Sequence, residues 1–445
     1  MFSFKSFTRK TQIFSLLFVS TIIIFSCTKD GDNLVVAEEA TIESISPISG
    51  PGDTEVTITG TAFGTNINNV SVFFNGVEAV VTSVSETEIE TIVPRRAETG
   101  TVSVILPRGQ VIGPEFTYIL TPSQVSTLLS SAVPGDTDGP IASASFSALW
   151  NIAEDDEGSL YLTDFGNNKI RKVDTDNIVS TVAGMKDVLG SIDGSLNEAT
   201  FSNPRSMILD QEGNLVLVDL DNHNVRKINL SNQTVETIAG TGEFGLINGP
   251  GSIAQFSAPL GIAMDNAGNL YVSEFAAATI RKITPDNVVT TFIGNGDAGF
   301  VDGPADVAQI GFVSGMEFDN EDNLIFGDGN RIRKVTPDRV VSTIAGTGAA
   351  GDVNGEASIA QFDGVLDLDI DSEGNIIAVD FGNKKIRRLS PDGMVSTLAG
   401  TGEEGTMDGI PSIATFNNPR SLLVGKNNII YVSTDDSVRV ITPAF

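Results

Sequence analysis

The chain has 445 residues, too many for one small core, and that length suggests two or three domains. Its 57 acidic and 27 basic residues leave a net charge of −30, which argues against a nucleic-acid partner and against docking on anionic lipid, since both need a basic face. Hydrophobic residues at 40% and 45 glycines fit a soluble, turn-rich β protein better than a helical one.

The N-terminus departs from this composition. Lys5, Arg9 and Lys10 precede an apolar run from Ile13 to Phe25. As a helix that run spans about 20 Å, short of the roughly 30 Å hydrocarbon core of a bilayer. A basic start and a short apolar run read as a secretion signal. Cys27 follows at once and is the only cysteine, so it has no disulfide partner within the chain. The segment resembles a bacterial lipoprotein signal, with Ile24-Phe25-Ser26-Cys27 as lipobox. The resemblance implies a signal peptide over 1–26, lipid on Cys27 and an acidic tether over 27–40. The Lys-Asp pair at 29–30 is similar to the surface-export signal of Bacteroidota lipoproteins, which implies an outer-membrane protein anchored through its lipid alone and facing outside the cell.

From residue 41 to 120 polar and apolar residues alternate between turns, as in EVTITG (Glu55–Gly60) and GTVSVILP (Gly100–Pro107). Several short strands in this length predict a β-sandwich. Ser49-Gly50-Pro51-Gly52, Phe63-Gly64, Phe74-Asn75-Gly76, Val93-Pro94 and Phe116-Thr117-Tyr118 resemble the IPT/TIG family of immunoglobulin-like domains. The segment has no histidine and no cluster of catalytic type, so a spacer role is expected.

Residues 121–445 repeat. Phe146, Phe201, Phe256, Ile310, Phe362 and Phe416 close successive units at intervals of 52 to 55 residues. Each unit carries an apolar strand such as GNLVLVD (Gly213–Asp219), then VRKI (Val225–Ile228), then VETIAG (Val235–Gly240). Four strands at this period predict propeller blades. The Gly-Asn-Leu start, the Asp219/Asn222 and Asp380/Asn383 pairs and the following Arg-Lys resemble the NHL repeat, with Glu274 and Ala277 as a degenerate copy. The last unit stops at VRVITPAF with no outer strand, while a surplus copy, VSTLL, starts at Val125. The expected fold is therefore all-β: an immunoglobulin-like β-sandwich followed by a six-bladed NHL-type β-propeller closed by an N-terminal outer strand.

Residues that recur in every blade should build blades, and residues that depart from the repeat are the better functional candidates. Arg171, Arg226, Arg281, Arg333, Arg387 and Arg439 recur, so a structural role is expected. Counted from the closing residue, the sixth position is apolar throughout and the fourth is not: Trp150, Arg205, Leu260, Ser314, Leu366, Arg420. Trp150, the only tryptophan, thus stands between two arginines on neighbouring blades. This suggests a platform for a sugar ring or an anionic group; the alternative is that Trp150 caps the core and the arginines pair with nearby acids. Phe165, Phe275 and Phe381 follow the turn acid and either widen an apolar rim or pack into the core. Glu317, Asp369 and Asp367 face the channel on adjacent blades, as ligands for a cation such as Ca²⁺ or as solvated walls.

His223 is the only histidine, which rules out a multi-histidine zinc site within one chain. With no nucleophile motif near it, catalysis is not the leading expectation. The combined signals resemble Bacteroidota envelope proteins near glycan-uptake systems. They imply a surface lipoprotein that binds a glycan or other small ligand, with envelope proteins as further partners. The alternatives are a hydrolase or lactonase using the channel carboxylates and a metal, and a protein-interaction scaffold.

Overall fold

The computed structural model describes residues 39–444, apart from 96 and 132. The expected signal segment and Cys27 lie outside the described residues. The chain divides into two compact units between Tyr118 and Ile119.

The first unit is an immunoglobulin-like sandwich. Its strands are β1 (Thr41–Ser46), β2 (Ser49–Gly50), β3 (Glu55–Thr61), β4 (Ser71–Phe74), β5 (Val77–Val84), β6 (Glu88–Ile92), β7 (Gly100–Leu106) and β8 (Gly109–Tyr118). They run in the order β1-β3-β6-β5-β4-β7-β8-β2. The first residues of β5 pair with β4 and the rest pair with β6, so one strand serves both sheets. Alternation decides which side chains turn inward: Val56 and Ile58 of β3 are buried and Thr57 and Thr59 are not. Phe74 and Phe116 meet edge to face at 5.2 Å in the core.

The second unit is a six-bladed propeller. In blade one the strands, from the channel outward, are Leu149–Glu154, Leu160–Asp164, Lys169–Val173 and Ile178–Ala183. The second strand of blades one to five is buried at every residue, because neighbouring blades cover both its faces. That is why these segments read as unbroken apolar runs. Blade six takes its outer strand, β9 (Gln124–Ser130), from the start of the unit. β9 pairs antiparallel with Ser437–Thr442, from Ser130 opposite Ser437 to Gln124 opposite Thr442. The closure removes two open sheet edges.

The recurring arginines are all fully buried. Each reaches from the third strand to the loop that precedes the inner strand, and in blades one to five also to the acid that ends the second strand. Arg226 donates to Asp219 at 3.0 Å, to Asp193 at 2.8 Å and to the carbonyls of Thr200 and Ile192. Asp219 also accepts from the Asn222 amide and from the Ser202 N–H. Burial outweighs these bonds and pushes the Asp219 carboxyl up to about 6. In blade three the longer Glu274 replaces the aspartate, and Thr279 donates to it at 2.7 Å where Ala277 has no amide to offer. In blade six Thr434 stands two residues beyond the Val432–Arg439 pair, where the acid stands in blade one, and Arg439 keeps Asp408 and two carbonyls.

Two outcomes follow. Deleting residues 121–133 should lower the melting temperature of the propeller, read by calorimetry; an unchanged transition would contradict closure by β9. Arg226→Met should cost about 3–5 kcal/mol in denaturant unfolding, because it strands a buried carboxylate. The double variant Arg226→Met/Asp219→Leu should recover a large part of that loss.

Candidate ligand site at the channel mouth

The inner strand of each blade begins beside the end of the second strand, as Leu149 pairs with Asp164, so both open on the propeller face that carries the inter-blade loops. Just before it, Ala148, Asn203, Ala258, Gly364 and Asn418 adopt positive φ. A left-handed residue turns the chain sharply into the channel wall and favours small side chains. Two residues later comes the irregular fourth position, which this kink sets at the channel mouth.

The structure brings three of the sequence-derived residues together. The Arg205 and Arg420 guanidinium carbons lie over the Trp150 ring at 4.2 and 4.5 Å from its centre. Both are cation–π contacts, and they come from the two blades flanking blade one. Phe165 packs on Trp150 at 5.4 Å. Phe381 stays 37% exposed and is not part of this stack. With guanidinium groups over the indole from both sides of its blade, a ligand at the mouth meets cations and ring edges rather than a bare indole face.

The two arginines differ in their partners. Arg420 is paired: its Nε donates to Asp435 at 2.6 Å, and Asn418 orients the same carboxylate. Arg205 is 7% exposed, and among the described residues its one side-chain hydrogen bond runs across the mouth from Nη2 to the Ser314 hydroxyl at 3.2 Å. Its Nε is buried with no partner. Burial, then repulsion by Arg420, pushes the Arg205 guanidinium down to about 9, against the attraction of Asp367.

Phe312 was not singled out from the sequence. It lies 5.9 Å from Arg205 and 5.4 Å from Phe275. It sits two residues after Ile310, where the other blades place their small left-handed residues, so its size was itself the signal. Blade four loses the kink there, and its inner strand shortens to Met316–Phe318.

Below the mouth is a cavity of about 170 Å³ lined by the inner strands. Glu317, Asp367 and Asp369 face it and are half-buried, but they do not converge as a cation cage. Among the described residues no group of three or more histidine, cysteine, aspartate or glutamate side chains is placed to hold a metal. Asp367 and Asp369 are instead turned toward blade six, where they accept the backbone N–H groups of Leu422 at 3.1 Å and Val424 at 2.6 Å. Asn151 and Ser206 do the same for Met207 and Ile262 of their next blades. Where glycine takes this position, at Gly261 and Gly315, a Cβ would come within 2.0 Å of Ser314 or Asp367. The fifth position is therefore an inter-blade clasp, made by a side chain or by close approach of the backbone. Burial raises the carboxyls of Glu317 and Asp369, and the repulsion between Glu317 and Asp369 raises Glu317 further. Asp367 is pushed up to about 7 by burial, against its bonds to Ser421 and Leu422. His223 caps a turn in the left-handed region and packs edge-on against Phe244 at 5.4 Å; its Nδ1 has no partner.

Comparison with known proteins accords with both units. Residues 40–120 match the family model of the IPT/TIG domain. Over 293 residues the chain is 26% identical to human NHL repeat-containing protein 2, covering 56% of this chain and 40% of that protein. It spans less than half the length of the curated relatives it matches. Among solved structures it is similar to a protein of unknown function from Bacteroides thetaiotaomicron, at TM-score 0.69 and 20% identity over 92% of this chain and 98% of the other. It is also similar to an auxiliary nutrient binding protein from the same organism, at TM-score 0.56 and 19% identity over 91% and 98%. Residues 40–120 form an IPT/TIG domain, and the six-bladed propeller that follows is similar to NHL repeat-containing proteins.

Asp367 offers a pH test. Its raised carboxyl contributes stability that is fully present below about pH 4 and lost as pH rises through about 7. Asp367→Asn keeps the acceptor for Leu422 and loses the charge. It should be more stable than the parent at pH 8 by on the order of 1–3 kcal/mol and close to it at pH 4, by chemical denaturation. Equal stability at pH 8 would contradict the assignment.

Proposed function

We propose that this protein is an outer-membrane lipoprotein, anchored through Cys27 and facing outside the cell, that binds a glycan at the propeller mouth. The IPT/TIG domain serves as its spacer. The observation that carries the reading is the Arg205–Trp150–Arg420 stack, which gathers the irregular residues of the repeat at one end of the channel. Guanidinium groups donate in a planar fork suited to saccharide hydroxyls and acidic groups. The fold is similar to that of an auxiliary nutrient binding protein, which is in keeping with a binding role. Asp367 and Asp369 are engaged by the backbone of blade six, so they lend no support to a metal-dependent hydrolase. A second reading, a protein-interaction scaffold, is favoured by Phe244 and Phe275, exposed at 60% and 54% on the loop face.

Affinity electrophoresis against a panel of polysaccharides tests the proposal. The intact protein should be retarded by at least one of them, and Trp150→Ala, which removes the surface both guanidinium groups rest on, should lose that retardation. Retained binding in Trp150→Ala would rule out the mouth as the site. Failure with every polysaccharide, together with pull-down of an envelope protein that Phe244→Ser abolishes, would favour the scaffold.

A further inference from the structure

We infer that the group recognised at the mouth is an anion, a carboxylate carried by the saccharide, and that Arg205 is its principal partner. This rests on the reading of the mouth as a glycan site and specifies which glycans it takes.

Arg205 differs from the other buried arginines in its partners. The six blade arginines each have a side-chain oxygen and two backbone carbonyls as acceptors; Arg226 has two carboxylates and two carbonyls. The weakest-served, Arg439, still has Asp408 and the carbonyls of Thr415 and Met407. Arg205 is buried nearly as deeply, yet among the described residues its side chain has one neutral hydroxyl and no carboxylate within salt-bridge distance. A guanidinium carries five N–H donors, and a buried cation without a counter-charge is strongly unfavourable. Nε is sealed from solvent, whereas Nη1 has no acceptor among the described residues and is not among the sealed atoms.

Nothing nearby supplies the missing charge. Arg420 adds a second cation, and its own counter-ion, Asp435, is held by Arg420 and Asn418. Asp367 acts on Arg205 only through space and spends its hydrogen bonds on blade six. In a chain of net charge −30, one buried cation at a channel mouth has been left without an acid. A ligand carboxylate fills that role with a charge-assisted bond, while Trp150 holds the fork in place. The overall negative charge meanwhile repels polyanions in general, so binding of an acidic polysaccharide would not be simple ion exchange.

The test uses the full-length protein, two polysaccharides and two variants. Affinity electrophoresis should show at least about tenfold tighter binding to polygalacturonate than to neutral galactan, as expected for a charge-assisted bond. Arg205→Met should abolish that preference, and so should Arg205→Gln. The ligand-free melting temperature supplies the second readout. Arg205→Met should raise it, because the variant removes an unpaired buried charge, whereas Arg226→Met should lower it. Four results would overturn the inference. If both polysaccharides bind equally and Trp150→Ala abolishes both, the glycan site stands and the anion assignment fails. If the acidic preference survives in both Arg205 variants, Arg205 is not the partner. If Arg205→Met lowers the melting temperature as Arg226→Met does, Arg205 is a structural residue. If neither polysaccharide binds, the anion assignment fails, and the glycan reading stands or falls by the wider polysaccharide panel.

Discussion

The propeller depends on one buried cation repeated six times. A guanidinium with its own acceptors joins the third strand of each blade to the loop that precedes the inner strand. In blades one to five it also holds the acid that ends the second strand. That acid in turn accepts the N–H of the residue just after the closing Phe or Ile, as Asp164 does from Ser147. The network therefore fixes where each inner strand starts and in what phase. Burying a charge pair is not itself strongly stabilising, because desolvation offsets most of the attraction. Its value here lies in geometry: with the loops locked, six inner strands meet around one channel in register.

Register makes the mouth possible. A position four residues beyond the closing residue falls at the same depth in every blade, so a tryptophan and two arginines far apart in sequence become neighbours. One residue further in, the fifth position clasps adjacent blades, through Asn151, Ser206 and Asp367 where a side chain is present and through glycine where backbones meet directly. Of the acids read from the sequence as cation ligands, Asp367 belongs to this clasp, Asp369 makes a second bond to blade six, and Glu317 accepts the N–H of the adjacent Phe318. Their carboxyls are raised because the channel wall desolvates them, and Glu317 is raised further by repulsion from Asp369. A raised carboxyl in this channel is thus accounted for by burial in the packed wall.

The fold was legible because a repeat reports its own phase. Six closing residues and a surplus VSTLL segment were enough to count blades and to find the strand that closes the ring. The Trp150, Arg205 and Arg420 cluster was legible for the same reason: a residue that breaks an otherwise regular column stands out. Other features hid from that method. Asp435 lies in a turn where blade six departs from the repeat, so no column pointed to it as the Arg420 partner. Phe381 shares a column with Phe165, but the fourth position beside it holds Leu366 instead of a tryptophan, and it remains exposed. The roles of Asp367 and Asp369 depend on which backbone N–H the neighbouring blade presents, and a sequence carries no record of that.

The chain's single tryptophan makes the central claim directly measurable, since Trp150 is both the centre of the stack and the only indole that can report on it. The decisive measurement is a fluorescence titration of the full-length protein with a polysaccharide that retards it in electrophoresis. A saturable change in Trp150 emission, with the same midpoint as binding, is the expected result. Binding that saturates while Trp150 emission stays unchanged would place the ligand elsewhere and contradict the account.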